Sequence, residues 1–102
     1  MPQPLSRAQI DQVLRELPNW TYDIDRLALR RRLVYPDFAA TLAAMIEIGF
    51  AAERADHHPE WSNVYNRLDI WLTTHDVDGV SDKDVALARI VDALDSRAVS
   101  PC

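Results

Sequence analysis

His57, His58 and His75 carry the most versatile chemistry in this chain. Imidazole has an unperturbed pKa of about 6.5, so it both gives and takes protons near neutrality. His57 and His58 are adjacent, and Pro59 biases His58 away from helical geometry. Neighbours on a regular strand point to opposite faces, so an adjacent pair serving one site has to sit in an irregular loop. His75 ends the run Leu68 to His75, where a side chain can reach around a sheet rim. Together they can supply acid and base to opposite sides of one substrate. Each also has a plain structural reading. His57 and His58 follow a long helical segment, where imidazolium favours the carboxyl end of the dipole. Asp84 is explained as the third residue of a capped helix. A zinc centre needs several converging ligands, and the chain has no HExxH segment and no paired CxxC spacing. Cys102 lies at the extreme end and no Gly-x-Ser-x-Gly turn occurs, so nucleophilic catalysis is the weaker reading.

The elements that must position these residues are legible in outline. Ser6 with Gln9 forms a capping-box pattern, and Leu5 can staple against Ile10. Ile10, Val13, Leu14 and Leu17 recur at helical spacing until Pro18-Asn19. Trp20-Thr21-Tyr22 and Leu27 to Tyr35 read as strands around an Asp23-to-Arg26 turn. Leu27, Leu29 and Leu33 share one parity and Arg30 and Arg32 the other, which predicts one buried and one wet face. In an acidic chain, Arg30-Arg31-Arg32 reads as a solvated face rather than a phosphate clamp. The longest helix is expected from about Asp37 to Ala55, and Glu47 is its only charge between Phe38 and Ala52. Phe38, Leu42, Met45 or Ile46, and Gly49 are expected on the sheet. Ala40, Ala44, Ile48 and Ala51 are left over for another copy of the chain. Trp61 to Tyr65 and Leu68 to His75 form a second hairpin, and Asp76 to Val80 makes a turn. Ser81 with Asp84 caps a last helix carrying Val85, Leu87, Ile90, Val91 and Leu94. The order α-β-β-α-β-β-α predicts an α+β domain with a four-stranded antiparallel sheet and three helices on one face. An ordered core over 6–96 and a tail over 97–102 are expected.

Composition narrows the classes. With 102 residues and 11.6 kDa, the chain fits a single domain spanning 1–102. Hydrophobic residues at 48% and charged residues at 26% exclude a disordered chain. The net charge of −5 argues against non-specific nucleic-acid binding, which needs a basic surface. The longest uncharged apolar stretch, Phe38 to Ile46, falls far short of the roughly 20 residues that span a bilayer. The first residues lack a basic segment followed by an apolar one, so no signal peptide is expected. A single cysteine permits no intramolecular disulfide, which suits a cytoplasmic protein.

Glu53, His57-His58-Pro59-Glu60-Trp61, Asn63-Val64-Tyr65-Asn66, Thr74-His75, Gly79 and Asp84 stand in one order and spacing. This constellation resembles the signature of the pterin-4a-carbinolamine dehydratase family. The resemblance is specific over Glu53 to Ala88; before that it extends only to the order of elements. It implies an enzyme, a hydro-lyase that dehydrates 4a-hydroxytetrahydropterin to quinonoid dihydropterin in tetrahydropterin recycling, with an aromatic amino acid hydroxylase as functional partner. It implies catalytic roles for His57, His58 and His75, with His57 and His75 near the departing hydroxyl and His58 near N5 or in binding. Asp84 is expected to orient His75 or fix the rim helix, and Glu53 and Trp61 to shape the pocket. No metal and no redox cofactor are expected, since the reduced pterin is the substrate. A homodimer or homotetramer is expected, without direct nucleic-acid or membrane contact. The alternative is a non-catalytic protein on the same fold, a dimerisation factor for a homeodomain transcription factor or an assembly factor for a carbon-fixing enzyme.

Overall fold

The computed structural model describes residues 3–95 and 100–101. Helix α1 (Arg7–Glu16) leads into strands β1 (Thr21–Asp23) and β2 (Ala28–Val34). Helix α2 (Phe38–Ala55), strands β3 (Glu60–Val64) and β4 (Arg67–Leu72), a short 3₁₀ turn (His75–Val77) and helix α3 (Asp82–Ala93) follow. The strands lie antiparallel in the order β1-β2-β4-β3. A two-residue β5 (Ser100–Pro101) pairs with Leu33 and Val34 of β2. The rest of the expected tail lies outside the described residues.

Both capping boxes form. The Ser6 Oγ accepts from the Gln9 N–H at 3.1 Å, and the Ser6 N–H donates to Gln9 Oε1 at 2.8 Å. Leu5 packs against the core cluster to which the buried Ile10 belongs. The register pairs Leu29 with Leu72, Arg31 with Ile70 and Leu33 with Leu68, so these six side chains share one face. All are buried, and Ile10, Ala44, Ile48, Leu87 and Val91 from the three helices complete the core over them.

Arg31 corrects the reading of the arginine run as wholly solvated. Parity places it among the leucines, and its guanidinium is buried against the carboxylates of Asp92 in the last turn of α3 and Asp95 just past its end. Arg30 and Arg32 occupy the opposite, wetter face, where both meet Asp69.

The rotation of α2 is also a correction. Thr41, Ala44, Ile48, Ala51 and Ala52 face the core, while Phe38, Leu42, Ile46 and Phe50 are exposed. A helix apolar all round has no polar stripe to set its orientation, so packing decides it. Alanines let the helix axis approach the sheet closely, and the bulky residues are left outside.

Candidate active site

The site gathers at the ends of α2, β4 and α3. Asp37 caps α2 at its start, its carboxylate accepting the Ala40 N–H at 2.8 Å. At the other end Asp56 takes a left-handed conformation (φ 52°), which short polar side chains tolerate. The N–H groups of Asp56 and His57 turn back to the carbonyls of Glu53 and Ala52, both at 3.1 Å. That turn ends the helix and swings His57 and His58 into the loop before β3.

Strand β4 stops at Leu72, so His75 does not end a strand. The ladder partners of β4 run out there, at Leu29 of β2 and Glu60 of β3. Thr74 instead closes a small loop with Gly79, with N–H to carbonyl distances of 2.8 and 3.3 Å. His75 rides the 3₁₀ turn inside that loop, three-quarters or more open to solvent, with 80% of its side chain exposed.

The three imidazoles line one cleft of about 310 Å³, together with Thr73, Thr74 and Lys83. Their partners differ. His57 is largely buried, and its Nε2 lies 2.5 Å from Asp84 Oδ1. A carboxylate only accepts, so the ring carries hydrogen on Nε2 and leaves Nδ1 for other work. Asp84 is fully buried, and its Oδ2 accepts from Thr74 Oγ1 at 2.7 Å and from the Ser81 N–H at 2.9 Å. The Thr74 and Ser81 hydroxyls sit 2.7 Å apart. Asp84 therefore both closes the cap of α3 and holds His57. Of the two roles expected for Asp84, it fixes the rim helix through this cap, and the imidazole it holds is that of His57 rather than His75. Thr74 is adjacent to one histidine and bonded to the partner of another; its position in the Thr74-His75 pair was the available signal.

His58 is exposed, its Nε2 2.8 Å from Glu53 Oε1 on the last turn of α2. His75 Nε2 lies 2.9 Å from Glu60 Oε2. Glu60 also accepts from Arg26 at 2.9 Å. That Arg26 bond, with help from His75, holds the Glu60 carboxyl below the usual carboxylate range despite partial burial. Glu60 was visible in the His57-to-Trp61 segment but not singled out as a partner for His75. Trp61 stands at the sheet edge beside α2, where a Cβ on Gly49 would lie 3.9 Å from its ring. It lines neither of the two described clefts that His75 borders. Among the described residues no group of three His, Cys, Asp or Glu side chains is placed to hold a metal ion. No described helix is long and apolar enough to cross a membrane.

An imidazole braced by a buried carboxylate, beside two wetter imidazoles, suits proton transfer at both ends of a small polar substrate. Residues 3–94 match the family described as Pterin 4 alpha carbinolamine dehydratase. A protein of Rhizorhabdus wittichii, provisionally named pterin-4-alpha-carbinolamine dehydratase, is 49% identical over 92 residues, which are 90% of this chain and 95% of that one. One from Novosphingobium aromaticivorans with the same provisional name is 44% identical over 90 residues, 88% of this chain and 94% of that one. A crystal structure from Brucella melitensis, described as a transcriptional coactivator/pterin dehydratase, matches with a TM-score of 0.89 at 35% identity. It covers 92% of this chain and 100% of that chain.

Proposed function

Because this chain belongs to the pterin-4-alpha-carbinolamine dehydratase family, we propose that it dehydrates 4a-hydroxytetrahydropterin to quinonoid dihydropterin by histidine acid–base catalysis. The observation that carries the reading is the meeting of His57, His58 and His75 on one cleft, the first of them tied to the buried Asp84. In the reaction N5 gives up its proton, the hydroxyl on C4a takes a proton and departs as water, and a double bond forms between N5 and C4a. Hydroxide is a poor leaving group and the N5 proton is weakly acidic, so the step needs an acid and a base together. Asp84 fixes the His57 ring with Nδ1 toward the substrate, and His57 and His75 serve the departing hydroxyl. His58 takes the N5 proton or binds that edge. Neither a metal nor a redox cofactor enters these steps.

The place of the reaction is the recycling of tetrahydropterin downstream of an aromatic amino acid hydroxylase, in a cytoplasmic protein. Turnover of synthetic 4a-hydroxytetrahydropterin by the purified protein tests this reading, with His58→Ala and His75→Ala beside it. Catalysed dehydration that falls in both variants supports it, and dehydration no faster than in buffer overturns it.

A partner-binding reading has one observation of its own. Phe38, Leu42, Ile46 and Phe50 form an exposed apolar stripe along α2. That stripe suits contact with a second copy of the chain, giving a homodimer or, with further contacts, a homotetramer. The same surface is where a coactivator-like role, of the kind named for the Brucella protein, would act.

A further inference from the structure

Two of the three imidazoles are anchored at Thr74. Its backbone closes the loop that carries His75: the Thr74 N–H donates to the Gly79 carbonyl at 2.8 Å, and its carbonyl accepts from the Val77 and Gly79 N–H groups at 3.1 and 3.3 Å. Its hydroxyl donates at 2.7 Å to Asp84 Oδ2, on the carboxylate whose other oxygen meets His57. We propose that Thr74 is a positioning residue for both rings, its hydroxyl setting through Asp84 which atoms of His57 carry hydrogen while its main chain seats His75. The inference rests on the dehydratase reading and deepens it, by naming what keeps His57 in the form that serves the departing hydroxyl.

The hydrogens of this cluster follow one from another. A carboxylate only accepts, so the Thr74 hydrogen goes to Asp84. Thr74 then has only lone pairs for the Ser81 hydroxyl 2.7 Å away, so the Ser81 hydrogen goes to Thr74. Ser81 Oγ is itself an acceptor for the Lys83 N–H at 3.3 Å, which fits that direction. The chain runs from Ser81 to Thr74 to Asp84, and each O–H polarises the next. All three side chains are buried, so the bonds form in a medium that strengthens them.

Asp84 Oδ2 takes two donors, the Thr74 hydroxyl and the Ser81 N–H, which leaves no acceptor for a hydrogen placed on that oxygen. Both bonds favour negative charge on Asp84. A second proton shared by Asp84 and His57 therefore stays on the ring, and the imidazolium has an Nδ1–H to give to the departing hydroxyl. Without the Thr74 donor that proton passes to Asp84 Oδ1. Nε2 then accepts instead of donating, and His57 is left a neutral ring with its one hydrogen on Nδ1, a far weaker acid than imidazolium. Asp56, Asp76, Lys83, His58 and His75 also border the cleft. The described bonds to the Asp84 carboxylate come from His57, Thr74 and Ser81.

The test sets Thr74→Val, which removes the hydroxyl at nearly the same shape, beside Thr74→Ser, which keeps it. On 4a-hydroxytetrahydropterin, kcat should fall about 10–100-fold in Thr74→Val, the range of one hydrogen bond to a charged group, with KM within about twofold. Thr74→Ser should recover most of the loss. A nitrogen-15 spectrum of His57 supplies a readout that a merely structural role would not move. Under conditions where both ring nitrogens carry hydrogen in the unaltered protein, Thr74→Val should move Nε2 toward the resonance of a bare nitrogen, and Thr74→Ser should not. An unmoved Nε2 in folded Thr74→Val overturns the proposal, as does an equal fall of kcat in both variants. If Thr74→Val does not fold, Ser81→Ala replaces it, since it removes the hydrogen that polarises Thr74 and keeps the Ser81 N–H on Asp84. Nε2 should then move the same way, and an unmoved resonance again overturns the proposal. The spectral change without turnover by the unaltered protein supports the positioning of His57 and sinks the dehydratase reading alone.

Discussion

Asp84 reaches three groups at once, His57, Thr74 and the backbone of Ser81, and none of its surface is open to water. Its residue type and place were legible as a helix cap, but its partnership with His57 was not. The two are 27 positions apart, and only the packing of the α2–β3 loop against the start of α3 brings them together. This changes what a histidine substitution should do. His57→Ala leaves one oxygen of a fully buried carboxylate without its partner, at a cost of about 1–3 kcal/mol. His58→Ala removes an exposed ring and should stay within about 0.5 kcal/mol. Chemical denaturation checks this pair, and equal midpoints would show that Asp84 does not depend on His57. Glu60 gives a pH signature. Its carboxyl is held below the ordinary glutamate value of 4.5, chiefly by Arg26, so the folded state favours the ionised form. Its share of stability is therefore present above that value and is lost as pH falls through the lowered one. Glu60→Gln should flatten the fall in Tm on acidification below pH 4.5. Parallel acid curves for the variant and the unaltered protein would contradict this.

At the scale of elements, the caps and the period-two strands were readable because their signals are local. Ser6 with Gln9 and Ser81 with Asp84 form the bonds their spacing promised. Leu68, Ile70 and Leu72 alternate inward as expected. What could not be read was set by distant partners. Arg31 was assigned by charge although its parity pointed inward, and the two aspartates that neutralise it lie more than sixty positions away. The α2 helix was apolar on every side, so periodicity alone could not say which stripe met the sheet. Its observed rotation reverses the roles of its residues. Ala44 is 1% exposed, so Ala44→Arg forces a charge into the core and should unfold the protein rather than merely split an assembly. Phe50 is 64% exposed, so Phe50→Asp should leave Tm nearly unchanged while shifting the sedimenting mass to a smaller species. Sedimentation of the unaltered protein as an 11.6 kDa monomer at micromolar concentration would contradict self-association through this stripe.

Across the whole molecule, the sheet divides the labour. One face carries the core under three helices, and the histidine cleft opens where α2 and β4 end and α3 begins. The exposed stripe of α2 meets the site at Glu53, which lines a shallow depression with Ile46, Gly49 and Phe50 and also pairs with His58. The acid–base account assigns no step to a metal, so dialysis against EDTA should leave the dehydration rate intact. Loss of activity on chelation, restored by zinc, would overturn that part of the account. The most direct test of the central claim is the dehydration rate of His57→Ala, measured on 4a-hydroxytetrahydropterin with and without added imidazole. The variant should be slower by about 10²–10⁴, the usual contribution of one proton-transfer group, and free imidazole should restore part of the loss. A folded His57→Ala protein that turns over substrate within about twofold of the unaltered enzyme would contradict it.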